Sequence, residues 1–240
     1  MSFQPPEKVQ SLQPGESFRF TCGPDLSCFT ECCRSLDLVL SPYDVLRLRK
    51  RLGLDSAAFL EQYAVVEERE DEALPLVFLA MIDDGRASCP FVSASGCTVY
   101  EDRPAACRAY PLGRGLRPAG CGGRPQELFV LVREEHCRGF ATDRENDPAG
   151  WMNDQGLNEY NRCSDALLPL LRHRRILQGW RPSAAQRDEY LQALYQLEDF
   201  RERVRSGEVV LSGSGDPGAA TDDYELLLAA IAWLNHSWHR

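Results

Sequence analysis

The 240-residue chain holds only two lysines, Lys8 and Lys50, among 27 basic residues, against 36 acidic ones. The net charge of -9 and pI near 5.0 argue against a general nucleic-acid binder, because such proteins need a basic footprint to displace phosphate counterions. No apolar run approaches the ~18 residues of a membrane-crossing helix, so no membrane span is expected. The opening MSFQPPEKVQSLQPGESF lacks a basic n-region followed by an apolar h-region, so no secretory signal is expected either. Cytoplasmic location follows as the expectation. In a reducing compartment, dense cysteine points to metal or redox chemistry rather than structural disulfides.

Several catalytic signatures are missing as well. No Gly-x-Gly-x-x-Gly follows a strand-like run, which removes the simplest nucleotide-cradling loop. The Cys-x3-Cys-x2-Cys of radical S-adenosylmethionine enzymes is absent, and four histidines leave little for a Cys–His nucleophile pair. There is also no Cys-x2-Cys knuckle, which counts against a standard zinc ribbon.

What is abundant is cysteine. Ten are present, nine of them between Cys22 and Cys137, with Cys163 alone beyond. That asymmetry divides the chain into a flexible leader (1–17), a cysteine-cluster metal-binding domain (18–145) and a C-terminal helical region (146–240). The fold class expected is α+β: an irregular, metal-stapled module with short strands, packed against the helical portion.

Local signals fill in this outline. Leu36–Leu40 reads as extended. Ser41 as N-cap, Pro42 at the first helical position and Gly53 as stop frame a helix. A second short helix covers about 55–64, the acidic run Glu67–Glu72 is a solvated edge, and Leu74–Ile82 is a strand ending in the Asp83-Asp84-Gly85 turn. Pro104 opens a short helix that Pro111 cannot continue. Residues 113–125, rich in Gly and Pro, read as loop, and Glu127–Arg133 as a strand. One or two helices are expected over about 150–179, one over Ser183–Arg205, and a last over Tyr224–Trp238 after the GSGDPG linker. The last helix is apolar around most of its circumference, which suits core packing first and a protein partner or dimer contact second.

Thiolates are soft ligands, and several around one metal offset each other's desolvation. The first cluster is Cys22-x5-Cys28-x3-Cys32-Cys33. Cys28 and Cys32 share a helical face, whereas adjacent Cys32 and Cys33 diverge, favouring two centres or one polynuclear centre. Cys89 and Cys97 flank a loop with Gly96, and Cys107 lies between Arg103 and Arg108, whose charges suit the surroundings of thiolates. His136-Cys137 adds a sulfur and a second-choice nitrogen. Cys121 is doubtful as a ligand, and Cys163 reads as packing. The remaining eight suffice for two four-cysteine sites, of zinc or of iron–sulfur clusters; the lean is to iron–sulfur, whose clusters accept varied spacing and are found beside Cys-Pro pairs such as Cys89-Pro90.

The cluster ending in Cys-Cys, then Cys-Pro-Phe, then Gly-Cys-Thr-Val-Tyr-Glu-Asp-Arg-Pro-Ala-Ala-Cys-Arg-Ala-Tyr-Pro, resembles the YkgJ-type cysteine-cluster family over about residues 20–140. That family is described as zinc- or iron-chelating. The resemblance implies metal ligation by Cys22, Cys28, Cys32, Cys33, Cys89, Cys97 and Cys107, with Cys137 resembling the closing cysteine of longer members. The opening spacing here is longer than the compact Cys-x2-Cys-x2-Cys-Cys form. The function expected is a metal-binding protein, its cofactor an iron–sulfur cluster or zinc, its partners metal ions. The alternative is an enzyme, a redox catalyst or a protein lysine methyltransferase, since a branch resembling this family is flagellin lysine N-methylase. A disulfide-bonded exported protein is the third reading.

Overall fold

The structure, a computed structural model, describes residues 9–13, 15–117, 125–211 and 222–238. Strand β1 (Val9–Leu12) falls inside the stretch expected to be a flexible leader, and β2 (Phe18–Arg19) follows it. Helix α1 (Pro42–Leu52) starts where its capping chemistry directs. The Ser41 hydroxyl accepts the Asp44 N–H at 3.2 Å, and the Asp44 carboxylate accepts the Ser41 N–H at 2.7 Å. Gly53 stops it at φ 68°, a left-handed position that glycine takes without steric cost. Helix α2 (Ser56–Tyr63) is capped by Asp55 and runs into β3 (Ala64–Glu67), which pairs antiparallel with β4 (Leu76–Leu79). The acidic run between these strands is exposed, as expected.

A two-residue hairpin, β5 (Val92–Ser93) and β6 (Gly96–Cys97), precedes α3 (Ala105–Ala109). Strand β7 (Leu112–Arg117) corrects the loop expected there. Its glycines are not breakers: a Cβ on Gly113 would lie 2.7 Å from Val130 Cγ2, so the bare backbone lets β7 approach β8 (Gln126–Val132). The two pair antiparallel with Leu112 opposite Leu131, and β1 covers the other edge, giving the order β1-β8-β7. Residues 118–124, with Cys121, lie outside the described residues, as does the GSGDPG linker. Strand β9 (Glu145–Asn146) pairs with β2.

The rest is helical, in more pieces than expected. Helices α4 (Pro148–Asp154), α5 (Asn158–Leu171) and α6 (Arg174–Leu177) occupy the stretch read as one or two helices, with Gly156 at φ 63° in the first break. The single helix expected over 183–205 is α7 (Ala184–Tyr195) and α8 (Leu197–Arg205). Gln196 leaves the helical region at φ -125° and ψ 63°, a bend that turns Leu197 and Phe200 into the core already reached by Tyr190 and Leu194. Helix α9 (Asp223–Trp238) buries Leu226, Leu227, Ala230, Ile231, Leu234 and Trp238.

One core runs from Phe18 and Phe20 through Leu40, Leu46 and Leu48 to Phe200 and Leu227. Helix α1 is its hub, packed against α5, α7 and α9. Each large apolar side chain removed from water contributes about 1.5–3 kcal/mol. Arg49, almost fully buried, reaches Glu198 at 2.6 Å and Asp223 at 2.9 Å, tying α1 to α8 and α9. The architecture is therefore an α+β mixture of helices and small antiparallel sheets. Among the described residues, no helix is long and apolar enough to cross a membrane.

Candidate metal centre

The first cysteine cluster lies in successive turns from Thr21 to Ser35, ending in a 3-10 turn over Glu31–Cys33. No residue in this stretch is buried. Two of its residues, Thr30 (φ 66°) and Ser35 (φ 51°), are left-handed without being glycine, as is Ala87 (φ 48°) across from them. Such positions cost about 1–3 kcal/mol each, most for a β-branched residue, and persist only where surroundings hold them. Here Thr30 and Ser35 bracket the Cys32-Cys33 turn, and Ala87 precedes Ser88, which bridges to Arg34 just before Cys89.

Backbone bonds bring the clusters together. Ser35 donates its N–H to Ala87 O at 2.9 Å, and Cys89 donates to Cys33 O at 2.8 Å. Arg86 reaches the Glu31 carboxylate at 3.0 Å on the same seam. The β5–β6 hairpin sets Cys97 opposite Val92, and Gly96 at φ 113° lies under Phe29, where a Cβ would come within 3.1 Å of the ring. Cys107 rides on α3, whose first N–H, from Ala105, is accepted by Asp44 Oδ1 at 2.7 Å. Cys137 lies near Cys28, because the N–H of Arg138 donates to Cys28 Sγ at 3.2 Å.

The electrostatics record the same gathering. Burial raises the pKa of Cys22, and the charges of Cys32, Cys137 and Cys28 add to it. Cys32 is pushed far up by its hydrogen bond with Cys33 and by burial. Burial, then Cys97 and Cys32, raise Cys89; burial and Cys32 raise Cys97. Cys107 is pushed up to about 12 by burial, with Cys89, Asp44, Cys97 and Cys32 adding to it. Crowded, half-desolvated thiols resist ionisation, and a cation among them reverses that penalty. Yet Cys22, Cys32 and Cys107 keep accessible surface.

All eight expected ligands thus lie in one region. As a donor set they suit zinc or iron, both served by thiolate. The convergence is regional: among the described residues, no three Cys, His, Asp or Glu side chains stand arranged around a point that could hold a metal ion.

The flanking arginines divide. The charge of Arg103 lowers the pKa of Cys22 and Cys97, as the surroundings of thiolates require. Its guanidinium also stacks 3.8 Å from the Tyr100 ring centroid and donates to Gln155 Oε1 at 2.6 Å. Arg108 donates to the carbonyls of Arg103 (3.0 Å), Gln155 (2.8 Å) and Glu101, so it braces the chain around Cys107. His136 faces Glu134 at 3.4 Å. Cys163 is buried in α5, as its packing role requires, and burial pushes it up to about 12.

Sequence reasoning missed three residues. Asp44 caps α1 and α3 at once, and only its capping box was readable. Phe29 closes over the hairpin with no pattern to announce it. The Tyr110 hydroxyl is buried with the Cys137 side chain beside it. Burial raises its pKa, and Cys137 and Glu134 beside it add to the shift.

Residues 21–138 match one family model, described as "CxxCxxCC: Putative zinc- or iron-chelating domain". No curated protein and no solved structure matches the chain.

Proposed function

We propose, from the premise that residues 21–138 are a domain of the CxxCxxCC family, that this protein is a cytoplasmic metal-binding protein with cysteine-ligated centres. The ligands are Cys22, Cys28, Cys32, Cys33, Cys89, Cys97, Cys107 and Cys137. One observation carries the reading. The 15 residues 21–35 hold four cysteines in a defined, partly left-handed backbone with no buried residue among them. Ordering each residue costs about 1–2 kcal/mol of conformational entropy. Apolar burial within the segment does not offset that cost, whereas metal binding by thiolates does, since binding energy is folding energy at such sites.

Iron–sulfur chemistry is favoured over zinc. The thiol spacings differ from zinc knuckles, and Cys89 is followed by Pro90. A bound metal would supply positive charge that holds the thiols as thiolates, and in the iron–sulfur case redox capacity. This chain's part is to hold the thiols close, with Arg103 favouring their charged form and Arg108 fixing the turn around Cys107. Anaerobic purification followed by metal and sulfide analysis and a visible spectrum tests this. Near-stoichiometric iron and sulfide with broad visible absorbance is expected. Colourless protein with stoichiometric zinc overturns the iron–sulfur assignment, and metal-free protein overturns the reading itself.

A further inference from the structure

We propose that two copies of this protein associate about a two-fold axis, the arginine segment 174–181 of each copy seated against the acidic run 67–72 of the other. None of these residues is a proposed metal ligand, so the inference does not rest on the metal reading.

Charge is unevenly placed along the chain. Between Ala166 and Arg187 there is no Asp or Glu and there are five arginines, although the whole protein carries a net -9. Glu67–Glu72 is the reverse, with five acidic residues around Arg69. The fold sets these two stretches side by side. Arg187 Nε reaches Glu68 Oε1 at 3.0 Å, and Arg181 donates from Nη2 to the Glu70 carbonyl at 3.1 Å. The basic side continues from that seam. Trp180 donates its N–H to Arg175 O at 2.9 Å, and the Arg175 guanidinium lies 4.7 Å from the Trp180 ring centroid. Only part of the charge is neutralised within the molecule, by the pairs Glu67 with Arg69 and Glu68 with Arg187. Among the described residues, Glu70, Asp71, Glu72, Arg174, Arg175 and Arg181 form no ion pair, and all six are exposed.

Adjacent patches of opposite sign make a surface complementary to itself. An isologous contact sets residue i against j and j against i, so a two-fold through the Arg181–Arg187 seam lays each segment over its opposite. Guanidinium groups suit this contact because they bind carboxylates bidentately. Exposed ion pairs add little affinity alone, so apolar surface has to contribute. Leu177, the last residue of α6, is 72% exposed, and Val65 and Val66 of β3 stay exposed where that strand enters the acidic run. A second copy satisfies both patches, whereas a polyanion would satisfy the arginines and leave the acidic run facing its own sign. Copies of like net charge repel at a distance, but at ~0.15 M salt charges more than about 8 Å apart are largely screened, and the contact itself decides.

Sedimentation equilibrium of the full-length protein under reducing conditions, at ~0.15 M salt, tests this by exchanging charges. The unsubstituted chain should show a concentration-dependent dimer. Two triple variants, Arg174→Glu/Arg175→Glu/Arg181→Glu and Glu70→Arg/Asp71→Arg/Glu72→Arg, should each lose more than ~10-fold in self-affinity, because like charges then face each other. Mixing the two should restore association as a heterodimer, since each reversed segment meets its opposite again. A wild-type chain that stays monomeric up to ~0.1 mM overturns the proposal; if it then binds a polyglutamate peptide through the arginine segment, the partner is an acidic protein instead. A dimer that survives both reversals also overturns it, as do variants with the parent's circular dichroism that stay apart when mixed.

Discussion

Helix α9 buries six of its 16 residues, while the 15 residues 21–35 bury none. Both are ordered, so the order has different sources. In α9 the source is apolar area removed from water, reinforced by the ion cluster of Arg49, Lys50, Arg201 and Asp223 at its first turn. In 21–35 it is a few backbone bonds to neighbouring segments, beside thiols such as Cys22 and Cys32 that disfavour their own ionisation. The contrast teaches that a chain long enough to build an ordinary core can still contain a cysteine-rich segment that stands outside it, and that segment is where the proposed ligation would act.

Substitutions should keep the two regions apart, and any that couples them weakens the contrast. The largest effect is expected from Phe200→Ala in α8, a fully buried ring. It should cost about 3–5 kcal/mol in a denaturant titration, while metal content per folded molecule stays unchanged.

Asp223→Asn should cost about 1.5–3 kcal/mol, the worth of hydrogen bonds to charged groups. Burial alone would raise the Asp223 pKa, but Lys50, Arg49 and Arg201 outweigh it and hold the carboxyl below its ordinary value. Its stabilisation is therefore present above the ordinary carboxylate pKa and lost as pH falls through the depressed one. Acid melting curves of the variant and the parent should converge there; curves that stay parallel contradict this role.

Gly96→Ala acts on the other region. Its positive φ and the Phe29 ring 3.1 Å from the added Cβ should cost about 1–3 kcal/mol at the hairpin. Unlike Phe200→Ala, it should also weaken metal retention in a chelator competition. Cys163→Ala should show the smallest effect, about 1 kcal/mol as for a typical point substitution. Its metal content should be unchanged, since that thiol belongs to the core.

Much of the helical region was legible because its signals are local. Ser41, Pro42 and Gly53 mark α1, Asp55 marks α2, and the apolar run 226–234 marks α9. What escaped depends on distant partners. Gly113 and Gly115 read as loop because nothing local shows that Val130 needs the space beside Gly113. Val9–Leu12 become a strand only because β8 offers an edge, and Gln196 bends because of the core it serves. At the candidate centre, the residue types and the two clusters were readable. Their convergence was not, since the contacts of Thr21 with Gly139, of Cys28 with Arg138 and of 33–35 with 87–89 join residues far apart in sequence.

Amide hydrogen exchange on metal-loaded and chelator-stripped full-length protein, under reducing conditions, tests the central claim most directly. The account predicts that removing metal lowers protection in 21–35 and 87–97, while α7, α8 and α9 keep theirs. Unchanged protection in 21–35 after complete metal removal would contradict it.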